Sequence, residues 1–429
     1  MQRKFSFSLL LVVLIATNVF SQAASPFSRF GLGQVRPIAF SSNRAMGEMS
    51  AGYSSNMFLN PVNPASYSEL TLTTFEVGAN LDVMNIRTKD STYQGFNGNL
   101  SHLALGFPVL RGKMGLSLGL LPFSNLNYDF TQRNVDTFQV FRGKGTTTQV
   151  YVGTAYKYKG FSLGINLGYV FGKLDYYRGF AFTDSLNALS VRNNSKLNVG
   201  GFNYSIGLQY HKRIKKRTNE NSLHSDINLT AGAYGSGGIK FNTTLNGNWE
   251  RYFYSNAAER DIVVDTVLSY KDKEGKMTMP YNFGFGFSIG NENWWLAGLD
   301  FKYAGWGIYQ SDLQNDKLGN SWRLSLGVGI IPNTESKNYL SQMQYKGGIY
   351  YGKSEVLYNS RQLDEYGGTL GISFPIRINP IYREAARLHL TADMGTRTPG
   401  DKNLITENYY RIYFGFTLNN LWFQKRKFD

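Results

Sequence analysis

A set of ionisable side chains shares an unusual placement. Glu76, Asp82, Asp300, Lys302, Arg323, Lys346, Arg387, His389, Asp393 and Arg411 all fall on the small-residue side of segments whose other side is bulky and apolar. Turned toward a common interior, such groups have the chemistry to bind a carboxylate or select ions. The plainer use is mutual: ion pairs and hydrogen bonds that satisfy polar groups removed from water. Arg387, His389, Asp393, Arg411, Glu76 and Asp82 are the lumen or ligand-binding candidates, because they occupy the last two alternating segments and the first, which meet if the sheet closes.

The same residues argue against catalysis. The histidines are His102, His211, His224 and His389. Ser101 and His102 are adjacent, so in a regular strand they point to opposite faces and cannot pair as nucleophile and base. His389 and Asp393 share a face but lie too far apart along one strand for ordinary contact. The chain has no cysteine, which removes disulfides, thiolate metal sites and lipid attachment through a thiol. Neither a His-x-x-x-His pair nor a phosphate-binding loop is present. No enzyme activity, no metal and no cofactor is expected.

The elements that position these residues are strands. From Tyr409 to Asn419, Tyr410, Ile412, Phe414, Phe416 and Leu418 alternate with Arg411, Tyr413, Gly415 and Thr417. Phe161 to Phe171 and Tyr281 to Ile289 repeat the rhythm, with glycine, serine and asparagine opposite the large side chains. A sandwich would put its bulky face in the core and scatter charges on the other; small residues suit the inside of a closed barrel whose bulky face meets lipid. The alternation predicts about fourteen antiparallel strands, at 71–86, 99–109, 113–126, 148–158, 161–175, 198–212, 225–240, 280–290, 294–306, 321–331, 344–352, 367–377, 387–396 and 408–419.

Tight connections at Val109–Lys113 and Tyr158–Phe161, against long loops at 127–147, 176–197 and 241–279, give the short periplasmic turns and longer outer loops of an outer-membrane barrel. Lys212–Ser225 and Ile331–Gln344 are long for the short side, and 260–269 has the pattern of a hairpin within a loop. Gly235-Ser236-Gly237-Gly238 reads as a hairpin end, the alternative being a kink that opens the wall sideways. Tyr128, Phe130, Tyr176, Tyr177, Trp294, Trp295, Trp306, Trp422 and Phe423 group near strand ends, as aromatic girdles at headgroup depth do.

Composition agrees with this class. Mean hydropathy is −0.31, yet aromatics make up 15% of residues and 46 are glycine, a mixture that fits strands in lipid better than a soluble core. Residues 1–24 read as a signal peptide: Arg3 and Lys4, an apolar run from Leu9 to Ala16, then Ser21, Ala23 and Ala24. No other stretch is apolar for long enough to span a membrane as a helix. The net charge of +15 comes from clusters such as Lys212, Arg213, Lys215, Lys216 and Arg217, and Lys425, Arg426 and Lys427. These suit solvated loops and membrane-interface anchors, and nucleic acid is not an expected partner.

Residues 25–69 lack the period of two. They run from Ser25-Pro26-Phe27-Ser28-Arg29-Phe30-Gly31 through Ala45-Met46-Gly47 to Leu59-Asn60-Pro61-Val62-Asn63-Pro64-Ala65. Asn-Pro pairs start turns and proline cannot donate to a ladder, so this segment is expected to be a plug or hatch, ahead of a barrel at 70–429 too wide to fill with its own side chains.

This layout, with Ala45-Met46-Gly47 in the plug and Asn63-Pro64-Ala65 just before the first strand, resembles the FadL family of outer-membrane fatty-acid and hydrocarbon channels over nearly the whole mature chain. Glu48 departs from that pattern, which usually continues with glycine or another small residue. The opening Ser-Pro-Phe-Ser-Arg-Phe-Gly and the close from Leu421 to Phe428 instead resemble a related group of largely uncharacterised outer-membrane barrels. Phe428 loosely resembles a barrel-assembly signal, although Asp429 is last.

The resemblance implies a channel in the outer membrane, in contact with its lipid, for small hydrophobic or amphipathic molecules. Asn63, Pro64 and Ala65 would then set the hatch geometry, and Arg387 and Arg411 would meet a carboxylate. The alternative is a non-transporting structural subunit of an outer-membrane secretion or assembly complex, holding protein partners through its loops or basic tail.

Overall fold

A computed structural model describes residues 25–36, 38–89, 91–182, 189–215, 227–255, 260–312, 316–379, 384–401 and 404–422. The signal segment and Phe423–Asp429 lie outside the described residues, as do Lys216, Arg217 and His224. The strands are β1 (Gln34–Val35), β2 (Thr73–Arg87), β3 (Thr92–Leu110), β4 (Met114–Arg133), β5 (Thr137–Tyr158), β6 (Phe161–Phe182), β7 (Ser190–Lys215), β8 (Ile227–Ser236) and β9 (Ile239–Ser255). They continue with β10 (Arg260–Met279), β11 (Asn282–Asn291), β12 (Trp295–Ala304), β13 (Gln310–Ser311), β14 (Ser321–Ile330), β15 (Gln344–Tyr358), β16 (Arg361–Asn379), β17 (Glu384–Thr398) and β18 (Thr406–Asn420).

These strands form a closed antiparallel barrel of 14 wall strands. Closure comes from β18 pairing with β2, from Thr406 opposite Arg87 to Asn420 opposite Thr73. Two wall strands are each made of two pieces. β7 lies beside both β8 and β9, and the β8–β11 and β10–β9 ladders are likewise stacked end to end. Gly237 and Gly238 therefore mark a break within a continuing strand and not a hairpin end, because the chain runs on beside the same neighbour.

The expected long loops prove to be strand. Most of 127–147, 176–197 and 241–279 is the outward continuation of β4 to β7 and of β9 and β10, and 260–269 belongs to β10. At about 3.3 Å per residue, the 26 residues of β7 run far beyond the roughly 9–11 that cross a membrane. One side of the barrel thus rises as a wing above the membrane.

Register irregularities decide which side chains face inward. β4 pairs Pro122 with Thr148 and Ser124 with Thr147, so Phe123 is an extra residue. Before it the even-numbered Leu118 faces outward; after it Ser124, Leu126 and Tyr128 are buried. For this reason Tyr128 and Phe130, expected in a girdle, pack in an interior cluster with Leu32, Phe141 and Tyr309, which Tyr176 and Trp306, also expected in a girdle, join from β6 and from the turn after β12. A second irregularity places Gly78 opposite His102 and Ala79 opposite Leu100, leaving Ser101 as the extra residue. The bulge turns Ser101 toward its neighbour: its Oγ lies 3.2 Å from His102 Nδ1, against the expectation of opposite faces.

The described residues of the N-terminal segment pack against inward-facing residues of the wall. Phe40, Leu59, Tyr67 and Leu70 form a core with Ala104, Leu121, Tyr151 and Ala155 of the wall. The small inward residues allow this close approach: a Cβ on Gly232 would fall 1.9 Å from the carbonyl oxygen of Ala51, and one on Gly164 would fall 2.4 Å from Pro64.

Candidate functional site

Alternation and closure bring Asp393, Arg411 and Asp82 into one row, since Asp393 pairs with Arg411 and Arg411 with Asp82 across β17, β18 and β2. Arg411 Nη1 is 3.4 Å from Asp393 and its Nε 3.9 Å from Asp82. From the N-terminal segment, Arg36 Nη1 adds a 2.7 Å contact to Asp82. A further layer holds Arg397 between Glu365 and Glu407, at 3.0 and 3.4 Å. Tyr350 donates to Asp393 at 2.6 Å, and Tyr409 donates to Glu365 at 2.8 Å.

Glu48 is the counterpart of these cations inside the barrel. Its carboxylate takes Arg323 at 2.7 Å and Arg44 at 3.3 Å, while Lys302 donates to its backbone carbonyl at 2.7 Å. Burial works to raise the Glu48 carboxyl, but Arg323, Arg44, Lys302 and Arg411 outweigh it and hold the group below the ordinary glutamate range. Nearby, Asp300 accepts from the backbone amides of Ser50 and Ala51 at 2.8 and 2.9 Å, which fixes the turn after Glu48 against β12.

Arg387, His389 and Glu76 form a separate group. His389 bridges Ser373 at 2.7 Å and Thr417 at 3.0 Å, and meets the Phe58 ring edge-on at 5.4 Å. Arg387 stacks over Phe58 at 5.5 Å and has no ion pair among the described residues. Glu76 accepts from the backbone amide of Leu59 at 2.7 Å, and its second oxygen stands 4.0 Å from His102 Nε2. The two arginines proposed as joint carboxylate partners are therefore in different surroundings, Arg411 within an ion-pair network and Arg387 against an aromatic ring.

Asn63, Pro64 and Ala65 sit where the N-terminal segment turns into the wall. Asn63 caps the 3-10 helix Pro64–Glu69 by accepting from Ala65 N at 3.2 Å, and its amide donates to Ala51 O at 2.8 Å. Glu292, absent from the sequence-derived candidates, receives Tyr53 and Ser55 at 2.8 and 2.6 Å. Glu48, Glu365, Arg397 and Glu407 were missed too. Glu48 alone carried a signal, as the only acidic residue between Ser25 and Ser68. Among the described residues no cluster of His, Asp and Glu could hold a metal ion.

The wall has a gap next to this network. β3 and β4 pair only from Leu103 opposite Leu120 down to Leu110 opposite Met114. Above that point their facing edges part, and β4 instead pairs with β1, Gln34 opposite Asn125 and Val35 opposite Ser124. A cavity of about 180 Å³ lies in the gap, lined by Asn99, Leu100, Ser101, Leu120, Pro122, Asn125, Arg36 and Arg44. Arg36 also lines a second cavity of about 340 Å³, whose walls are charged at Glu48, Lys302, Arg323, Arg397 and Arg411 and apolar at Val35, Phe123, Phe241 and Trp306.

The closed barrel and its strand number define an outer-membrane β-barrel with a FadL-like fold. Similar solved structures are a Pseudomonas aeruginosa FadL homologue (11% identity, 91% of this chain and 100% of that one, TM-score 0.58) and the Ralstonia pickettii toluene transporter TbuX (12%, 89% and 98%, 0.54). The P. putida toluene transporter TodX is a third (13%, 90% and 99%, 0.53). At these identities the likeness is one of fold, and the similar structures are transport channels and not enzymes. Among curated proteins none matches the sequence. The family is a different one from FadL: the profile described as BamG matches residues 1–429, and the chain belongs to the BamG family.

Proposed function

We propose that the protein is a gated outer-membrane channel for small amphipathic molecules, in which residues 25–69 serve as the plug. The observation that carries this reading is the gap between β3 and β4, with a charged and apolar cavity behind it. A cavity of about 340 Å³ lies within the size range of small-ligand sites, at roughly 300–1,000 Å³. Its two-sided lining favours a molecule with a polar head and a short apolar body over a bare hydrocarbon.

Passage would start at the outer rim, pass Arg36 and Arg411, and leave sideways between β3 and β4. β1 covers the free edge of β4 in this arrangement, so it is the element that must move. Toluene and monoaromatic hydrocarbons, named for the similar channels, mark one end of the range to test. In a strain lacking the gene, re-expression should restore uptake of at least one member of a panel of radiolabelled fatty acids and monoaromatic compounds. Uptake equal in the deleted and re-expressing strains across the panel would contradict the channel.

A second reading is that the barrel serves as a structural subunit of an outer-membrane complex. The observation favouring it is the wing of β4 to β10, whose strands run far beyond the length that crosses a membrane.

A further inference from the structure

The wing ends in an unpaired strand edge. β10 pairs with β9 along one side, from Arg260 opposite Ser255 to Met279 opposite Ile239. On its other side β13 pairs with Met277 and Thr278, and Asp312 N bonds Lys276 O. From Arg260 to Gly275 that second edge has no strand partner among the described residues. By contrast, the edge that β4 presents at the far side of the wing is met from Phe123 to Asn127 by the chain's own N-terminal segment.

Free edges in water are ordinarily blunted by charge. On β10 the charges stand at the two ends: Arg260 and Asp261 at the tip, and Lys271, Asp272, Lys273, Glu274 and Lys276 toward the membrane. Between them lies Ile262-Val263-Val264-Asp265-Thr266-Val267-Leu268-Ser269-Tyr270, whose single charge, Asp265, is paired to Arg251 of β9. Val263, Val264, Val267 and Leu268 are all exposed. This stretch sits 11 to 19 residues before Tyr281, the exposed aromatic just ahead of β11, which places it roughly 35–65 Å farther out along the strand. Lipid does not reach it. Nine residues rich in β-branched side chains, exposed at a sheet edge in water, have the form of a site for strand addition.

We infer that Ile262–Tyr270 binds an extended segment of a second, different protein at the outer surface, added as an antiparallel strand to β10. A second copy of this chain does not fit. Antiparallel pairing about a twofold axis would reverse one strand, and because β10 continues into wall strand β11, one barrel would stand inverted in the membrane. Parallel pairing of identical edges gives the two strands unlike hydrogen-bonding roles and so cannot form about a twofold axis. The matching segment carries apolar or β-branched residues opposite Val263 to Leu268, with hydrogen bonds to the backbone supplying affinity and side chains supplying selectivity.

Hydrogen exchange of the full-length protein tests this, measured in isolated outer membranes and again after purification in detergent. Amides of Ile262–Tyr270 that β9 leaves free should exchange about tenfold or more slowly in the membranes and lose that protection on purification. Val267→Lys should abolish the membrane-specific protection while leaving the amides of β15 to β18 unchanged, which separates loss of the partner from loss of folding. Because the chain has no cysteine, Thr266→Cys provides a single thiol for crosslinking on intact cells, and one adduct heavier than this chain but unlike its dimer is expected. Equal exchange in membranes and detergent would overturn the inference, as would a crosslinked product that is the dimer of this chain.

Discussion

The lower wall and the outer wing expose apolar side chains to the same degree: Phe414 of β18 and Val264 of β10 are each 49% accessible. Their surroundings differ. Phe414 belongs to an unbroken alternation in a strand bonded on both sides, and backs onto a packed interior. Val264 belongs to an edge strand bonded on one side, where the ladder slips three times between Val263 and Lys273. An exposed apolar group takes its meaning from the solvent it meets, and regular alternation between two paired neighbours marks the side that meets lipid.

The contrast can be broken by mutation, and the largest effect is expected inside the wall. Asp300→Ala should destabilise the barrel by about 3–5 kcal/mol in urea unfolding, because it strands the amides of Ser50 and Ala51 and leaves Lys302 without one of its two carboxylate neighbours. Phe414→Lys, which puts a cation on the lipid face, should cost about 2–4 kcal/mol if this position lies near the bilayer midplane. Asn63→Ala removes the cap of Pro64–Glu69 and should cost about 1 kcal/mol, seen as faster proteolysis of the N-terminal segment in folded barrels. Val267→Lys, as exposed as any of these, should change stability by less than about 0.5 kcal/mol. Equal costs for Phe414→Lys and Val267→Lys would dissolve the distinction between wall and wing.

The wall was legible because lipid on one side and a packed lumen on the other impose opposite demands on neighbouring residues. Asp82, Asp393 and Arg411 could be grouped for the same reason, since closure of first and last strands follows from the strand pattern. The wing was misread as loops: with water on both faces, β9 and β10 have no uniformly apolar side to reveal a period. The bulges at Ser101 and Phe123 were invisible because one extra residue leaves no mark in composition, and they alone reversed Tyr128 and re-aimed Ser101. Arg387 was grouped with Arg411 by strand position, whereas its partner, Phe58, comes from a segment without a repeating pattern.

The account turns on β1 leaving the edge of β4. Gln34 and Asn125 are direct partners in that antiparallel pair, and the chain offers no competing thiol, so Gln34→Cys with Asn125→Cys forms a lock across it. In cells taking up whichever panel compound the native protein transports, oxidation of the double variant should reduce uptake to the level of the deletion strain, and reductant should restore it. Undiminished uptake with the disulfide fully formed would contradict passage through the gap between β3 and β4.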